Sequence, residues 1–196
     1  LRHHRDDIVE RAVRVLDDYG LASLTMRRLG SELGLQASAI YHHFPSKQAL
    51  LAAVADEILA RGRRPRAGGA WDDLLVEACY ELRDAMLAYR DGADLVATVY
   101  AFGLGAQGPA DELEDILETA GFDESLVGVG ARTLLHFVFG HTFEEQTALQ
   151  AESAGAVAGA AADDRSADRT GDFDLGLGLV LDGLGVHAPA SRRVRG

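Results

Sequence analysis

Residues 24–47, LTMRRLGSELGLQASAIYHHFPSK, leave this chain few choices. Thr25 is a candidate N-cap, and Leu29 and Leu33 behind it give an apolar face at i, i+4 spacing. Gly34 then stops the helix, because glycine takes the left-handed conformation that a helix C-terminus favours. A second helix is predicted from about Gln36 to Phe44, ended by Pro45, which cannot continue the backbone hydrogen bonding. Helix, short glycine turn, helix is the spacing of a DNA-binding helix-turn-helix.

Unrolled at about 100° per residue, the second helix separates its roles. Ile40 and Phe44, one turn apart, are its large apolar pair and should pack inward. Ser38, Ala39 and His42 then point away from them, with Tyr41 and His43 on the flanks. Such a face buries little area but suits a major groove, where Ser and His bond base edges and an Ala methyl meets a thymine methyl. Tyr41, His43 and Lys47 are placed to reach phosphates. The candidate DNA contacts are therefore Thr25, Arg27, Gln36, Ser38, Ala39, Tyr41, His42, His43 and Lys47. A two-helix corner with no ligand explains the glycine and the Ile/Phe pair, but not this outward face.

The stretch, together with Ile8, Ala12, Leu16, Tyr19 and Gly20 before it and Gln48 to Leu51 after it, resembles the N-terminal domain of the TetR (tetracycline-repressor) family of transcriptional regulators. The resemblance implies an all-α fold: a three-helix helix-turn-helix head, then a larger helical ligand-binding and dimerisation domain. It also implies double-stranded operator DNA as partner, and a short basic arm (Arg2, His3, His4, Arg5) that touches the DNA backbone or minor groove, although a frayed terminus fits those four residues as well.

The net charge of −12 looks wrong for a DNA binder until it is divided. Residues 1–66 hold 11 Lys/Arg against 8 Asp/Glu, net +3, and residues 67–196 hold 8 against 23, net −15. Positive charge gathers on the helix-turn-helix end, as expected when one domain meets phosphate and the other does not. One cysteine, Cys79, excludes an intramolecular disulfide; it reads as a small buried core residue, and a reducing, cytoplasmic setting is expected. No apolar run approaches the roughly 20 residues of a membrane span, and no secretory signal is recognisable. The chain opens on Leu1 rather than Met, so a preceding piece is expected.

Along the chain, a first helix ends near Tyr19, with Ile8, Ala12, Val15, Leu16 and Tyr19 as core. Ser46 caps a connecting helix whose stripe runs through Leu50, Leu51, Val54, Ile58 and Leu59 to about Gly62. The Arg/Pro/Gly segment 63–69 reads as a domain boundary, giving a head (1–45), a connecting helix (46–62) and a second domain (70–190). Helical patterns follow over 71–89, 109–120 and 123–152, while 94–102 fits strand or helix on pattern alone. Residues 153–171, poor in large apolar side chains, read as a mobile loop, and Asp172 as the cap of a last helix with a frayed tail after Val186.

Residues 126–143 are apolar nearly all round, so the helix must be buried on every side, and a second subunit is the natural cover. Gly128, Gly130 and Gly140 there, and Gly176, Gly178 and Gly183 in the last helix, each cost about 1 kcal/mol of helix propensity. That cost points to close helix–helix approach, and a homodimer built on a four-helix bundle fits both facts.

The C-terminal half resembles the tetracycline-binding branch through YRDGA (89–93), AGFDESLVGVGARTLLHFVFGHTFEEQ (120–146) and FDLGLGLVLDGL (173–184). The branch's drug-contacting His, Asn and Phe align with Arg63, Ala78 and Leu82, and its Mg²⁺-ligating His with Val96. Glu144 alone is retained, and one carboxylate is not a Mg²⁺ site. The resemblance then implies a pocket of Leu82, Met86, Val96, Tyr100, Phe102, His136 and Phe139, suited to an apolar or aromatic effector, with no metal and no cofactor.

Residues 103–108 fit G-x-G-x-x-G, but a dinucleotide site needs a βαβ unit, and Asp111, Glu112, Glu114 and Asp115 would repel a pyrophosphate. His136 and His141 are five apart and face different directions; His42 and His43 are about 100° apart. No nucleophile, base and oxyanion hole assemble, so no enzyme is expected. The expectation is a ligand-responsive repressor binding palindromic operator DNA as a homodimer. The rival is a helical small-molecule-binding or scaffold protein that does not bind DNA.

Overall fold

The computed structural model describes residues 4–66, 68–153, 155 and 161–189, with the backbone only for 161–168. Among the described residues there are nine α-helices and no strand: α1 (Arg5–Tyr19), α2 (Met26–Leu33), α3 (Ala37–Tyr41), α4 (Lys47–Gly62), α5 (Trp71–Leu87), α6 (Gly92–Ala101), α7 (Gly108–Ala120), α8 (Glu124–Ser153) and α9 (Ala161–Gly185). A single 3-10 turn, Leu21–Ser23, joins α1 to α2. The fold is all-α. Arg2 and His3 of the basic arm and residues 190–196 of the tail lie outside the described residues.

The helices form two compact units. One is Leu1–Arg64 with Glu81–Gly108; the other is Pro65–Tyr80 with Pro109–Gly196. Residues 81–108 thus cluster with the head and connecting helix, which a division at 63–69 does not anticipate. The physical reason is α6, which packs on α4 and buries Gly92, Ala93, Leu95, Val96 and Val99. That packing also settles 94–102 as helix.

In the first unit, α1 buries Ile8, Ala12, Val15 and Leu16 at helical spacing against α2 and α4. Tyr19 is not core as expected: it is 48% exposed, and the Arg28 guanidinium lies 3.7 Å from its ring centroid. A tyrosine in the last turn keeps its ring for a cation instead of the interior. On α4 the expected stripe is graded: Leu50, Val54 and Ile58 are fully buried, Leu51 and Leu59 half-buried.

In the second unit, Leu75 and Cys79 of α5, Leu113 and Leu117 of α7, Leu134, Leu135 and Val138 of α8, and Phe173 and Leu177 of α9 form the core. Trp71 meets Phe122 edge-on at 5.0 Å, and Tyr80 meets Phe173 at 5.1 Å. Gly130 and Gly176 make the expected close approaches within the chain: a Cβ on Gly176 would stand 2.5 Å from the Phe137 ring, and one on Gly130 3.0 Å from Leu184. Gly140, Gly178 and Gly183 instead face open space.

Two expectations for this unit are overturned. Asp172 does not cap the last helix, because α9 already runs from Ala161. Residues 161–171 carry few apolar side chains but several alanines, the strongest helix former, and Arg169 bonds Glu152 of α8 at 3.2 Å. Of the expected loop, residues 154 and 156–160 lie outside the described residues. Within its own chain α8 is not covered on every side: Val129 and Phe143 stay 52% and 47% exposed.

Candidate nucleic-acid interface

The helix-turn-helix is assembled by local bonds. Thr25 sits in extended backbone, and its Oγ1 accepts from Arg28 N at 3.1 Å, which opens α2. Gly34 closes it in the left-handed conformation (φ 67°), its N–H bonding back to Gly30 O and Ser31 O. The turn brings α3 hard against α2 at Gly30, where Leu35 N donates to Gly30 O at 2.8 Å.

The second helix is shorter than expected. Gln36 is its N-cap residue, and α3 ends at Tyr41; Ile40 O then accepts from both His43 N and Phe44 N at 2.9 Å. The residue before a proline is driven out of the helical region, so the chain unwinds ahead of Pro45. Ser46 restarts it, Oγ accepting from Ala49 N at 3.1 Å, and places Lys47 at the head of α4.

Ile40 and Phe44 are 0% and 1% exposed, and they anchor this segment. Thr25, Arg27, Gln36, Ser38, Tyr41, His42 and His43 are exposed, Ala39 and Lys47 half-buried. All nine belong to the first unit, on α2, α3, the turn after it and the start of α4. Two cations are held by rings nearby: Arg28, which patterning does not single out, over Tyr19, and Arg5 of the expected basic arm 4.9 Å from the Phe44 centroid. Residues of α1 and α4 line an open cleft of about 400 Å³ edged by Asp6, Asp7, Glu10, Asp56 and Glu57 with Arg5 and Arg61. Five carboxylates against two guanidinium groups make that cleft unfavourable for phosphate.

The residues offered for an effector are drawn from both units. Leu82, Met86, Val96, Tyr100 and Phe102 belong to the first unit, His136 and Phe139 to the second. Leu82, Met86, Val96 and Phe139 are buried and Tyr100 half-buried, whereas Phe102 is 68% exposed in the turn after α6 and His136 is exposed on α8. Among the described residues no three His, Cys, Asp or Glu side chains gather as a metal site. The run before Gly103 is helix α6, so the G-x-G-x-x-G segment follows no strand.

Comparison with known proteins extends over both units. The family model "Bacterial regulatory proteins, tetR family" matches residues 8–54, and "Tetracyclin repressor-like, C-terminal domain" matches residues 64–166. The chain is 32% identical over 205 residues to the tetracycline repressor protein class A from transposon 1721 of Escherichia coli, covering 96% of this chain and 94% of that protein. It superposes on crystalline BioQ of Mycobacterium smegmatis with a TM-score of 0.86 at 40% identity, over 95% of this chain and 100% of the other. A BioQ structure with its natural double-stranded DNA operator gives 0.78 at 37% identity, again over 95% and 100%.

Proposed function

Because this chain belongs to the tetR family of bacterial regulatory proteins, which are helix-turn-helix transcriptional repressors and not enzymes, we propose that it is an effector-responsive repressor that binds a palindromic operator as a homodimer. The observation that carries the reading is the division of α3 and its flanks. Ile40 and Phe44 are locked inside the head while Ser38, Tyr41, His42 and His43 stand exposed beside Arg27 and Lys47. In this reading Ser38, Ala39 and His42 address base edges, and Thr25, Arg27, Gln36, Tyr41, His43 and Lys47 hold the backbone. That a similar protein, BioQ, is known with its double-stranded DNA operator supports operator DNA as the partner.

The homodimer rests on a face of the second unit. On α9, Leu175 and Leu179 are 72% and 75% exposed and Val186 lies further along the same stripe; on α8, Val129 and Phe143 are bare and Gly140 opens on empty space. A soluble helix pair with such a stripe needs a cover, and a second copy of the same pair supplies it. Head (1–45), connecting helix (46–62) and effector and dimer domain (70–190) are the working division of labour. The effector is a small apolar or aromatic molecule, since Leu82, Met86, Val96 and Phe139 offer it no charge.

Selection from a random duplex pool, with the complex sized by light scattering, tests this. Enrichment of a two-fold-symmetric sequence bound by two chains is expected, with half-sites about 34–36 Å apart. Absence of any enriched duplex favours a helical small-molecule-binding protein without DNA contact.

A further inference from the structure

Asp91 occupies the N-cap position of α6 but does not cap it. Its carboxylate turns away, and Oδ2 accepts from Leu21 N at 2.7 Å, across 70 residues of sequence. Three local costs are accepted for that one bond. An aspartate N-cap ordinarily stabilises its own helix, and that gain is forgone. Asp91 also lies in the left-handed region (φ 56°), which Asp and Asn enter more readily than other residues with a Cβ but less readily than glycine. And residue 20 must be glycine: its φ is 78°, and a Cβ there would stand 2.6 Å from Asp91 Oδ2. A weaker bond, Arg90 N to Asp17 Oδ1 at 3.4 Å, runs beside it to α1.

A second carboxylate bond holds the connection that follows α6. Asp56 Oδ1 on α4 accepts from Ala106 N at 2.7 Å, and Ala106 is the other non-glycine residue with positive φ among those described (59°). Strained residues of this kind persist where surrounding structure over-determines them, and they gather at switches and clamps. Here they lie on either side of one helix; the carboxylate bond at Asp91 reaches the DNA-binding head, and the one at Ala106 reaches the connecting helix α4.

Leu21 opens the 3-10 turn that leads into Thr25 and α2, whereas α4 leaves the end of α3. The entry of the helix-turn-helix is thus tied to the start of α6 by Asp91, while Asp56, in the middle of α4, holds the α6–α7 connection at Ala106. We propose that Asp91 is a positioning residue for DNA binding, which fixes the entry of the helix-turn-helix on α6 independently of the mount made through α4. The inference rests on the DNA-binding reading above. It assigns to the α1 side of the head a share of the register that two recognition helices need on one operator.

The test uses the full-length protein and the duplex enriched from the random pool. Asp91→Gly keeps the left-handed backbone without strain but deletes the acceptor. Asp91→Asn keeps an acceptor oxygen and a residue that tolerates this conformation. Asp91→Gly is expected to lose about tenfold in operator affinity, on the scale of one lost hydrogen bond, and to speed hydrogen exchange at Leu21 N–H while the thermal midpoint holds. Asp91→Asn should restore both readouts toward wild type. Gly20→Ala, which forces the same contact apart from the other side, should match the Asp91→Gly loss. A merely structural Asp91 predicts unchanged operator affinity in Asp91→Gly with a shifted melting temperature, and that result overturns the proposal. Wild-type protein that enriches no duplex overturns the DNA-binding reading instead, so the two failures are distinguishable.

Discussion

Leu35 lies so close over Gly30 that a β-carbon on Gly30 would stand 2.8 Å from the Leu35 carbonyl oxygen. The same two residues share the bond from Leu35 N to Gly30 O. The obstacle is backbone, which cannot swing aside as a flexible side chain can. Gly30→Ala should therefore force α2 and α3 apart. A stability loss of about 1–3 kcal/mol is expected, the usual scale of overpacking, read from urea unfolding. Operator binding should fall further than stability alone predicts, because the angle between α2 and α3 sets the reading face. Wild-type affinity in this variant would show that the angle does not matter.

Anchoring and reading separate at Lys47 and His42. Lys47 is the one lysine of the chain, and it stands at the positive end of α4 with no acid in that first turn, an unfavourable place for a cation that phosphate would relieve. Lys47→Ala should weaken binding to every duplex and flatten the salt dependence by about one unit per half-site. His42→Ala should cost about 1–3 kcal/mol on the selected operator and little on random DNA. Equal losses on both kinds of DNA for both variants would refute the assignment of the groove-facing side chains.

Burial pushes the Cys79 thiol up to about 12 from an ordinary 9.0, with the Arg66 charge pulling weakly downward. The folded thiol keeps its proton at pH values where the unfolded one has lost it. Its contribution is therefore full below pH 9 and drains away as pH rises toward 12. The native protein at pH 8 should resist a thiol reagent that labels the urea-unfolded chain at once. Between pH 8 and 10.5 (about the useful range for such melts), the melting temperature should fall more steeply than in Cys79→Ala. Rapid native labelling would mean that the thiol is reached without unfolding.

Leu179, three-quarters exposed on α9, tests the assembly. A charge placed there by Leu179→Glu would have to be buried unpaired in a dimer, at a cost of several kcal/mol, yet is harmless on a monomer. Light scattering at micromolar concentration should show wild type at two chains and the variant at one, with operator binding lost in parallel. A variant that stays dimeric moves the interface elsewhere.

What could be read from the sequence was local. Thr25, Gly34, Ile40, Phe44, Pro45 and Ser46 act on neighbours within a turn or two, so the helix-turn-helix and its inward pair follow from spacing alone. Periodicity failed where propensity carried the helix instead: residues 161–171 have too few apolar side chains to show a face, yet they are helical. Tyr19 was misplaced because its ring's partner, Arg28, comes from the next helix. Asp91 was invisible for a stronger reason. By local rules it is an ordinary helix cap, and only the fold brings Leu21 within reach of its carboxylate. The roles proposed for the nine candidate DNA contacts depend on DNA, and those proposed for the effector residues on an effector, so neither has a signature in the chain alone.

The effector gives the last prediction. Likeness to a tetracycline repressor runs through nearly the whole chain, at 32% identity. Yet the positions that align with that branch's drug and metal contacts hold Arg63, Ala78, Leu82 and Val96. Val96 is fully buried on α6, Ala78 has no hydrogen-bonding side-chain group, and Glu144 stands exposed on α8. Mg²⁺ needs several oxygen ligands, and a lone carboxylate does not supply them. Derepression also requires that a ligand prefer the DNA-incompetent state, and a molecule without contacts in either state moves nothing. Tetracycline, with or without Mg²⁺, is therefore expected neither to raise the melting temperature nor to release the operator. A small apolar or aromatic compound from the same thermal-shift library should do both. The measurement is a melt of the protein with each compound, followed by competition against labelled operator. A Mg²⁺-dependent shift with tetracycline would overturn the alignment at Arg63, Ala78, Leu82 and Val96 and restore a metal-dependent inducer.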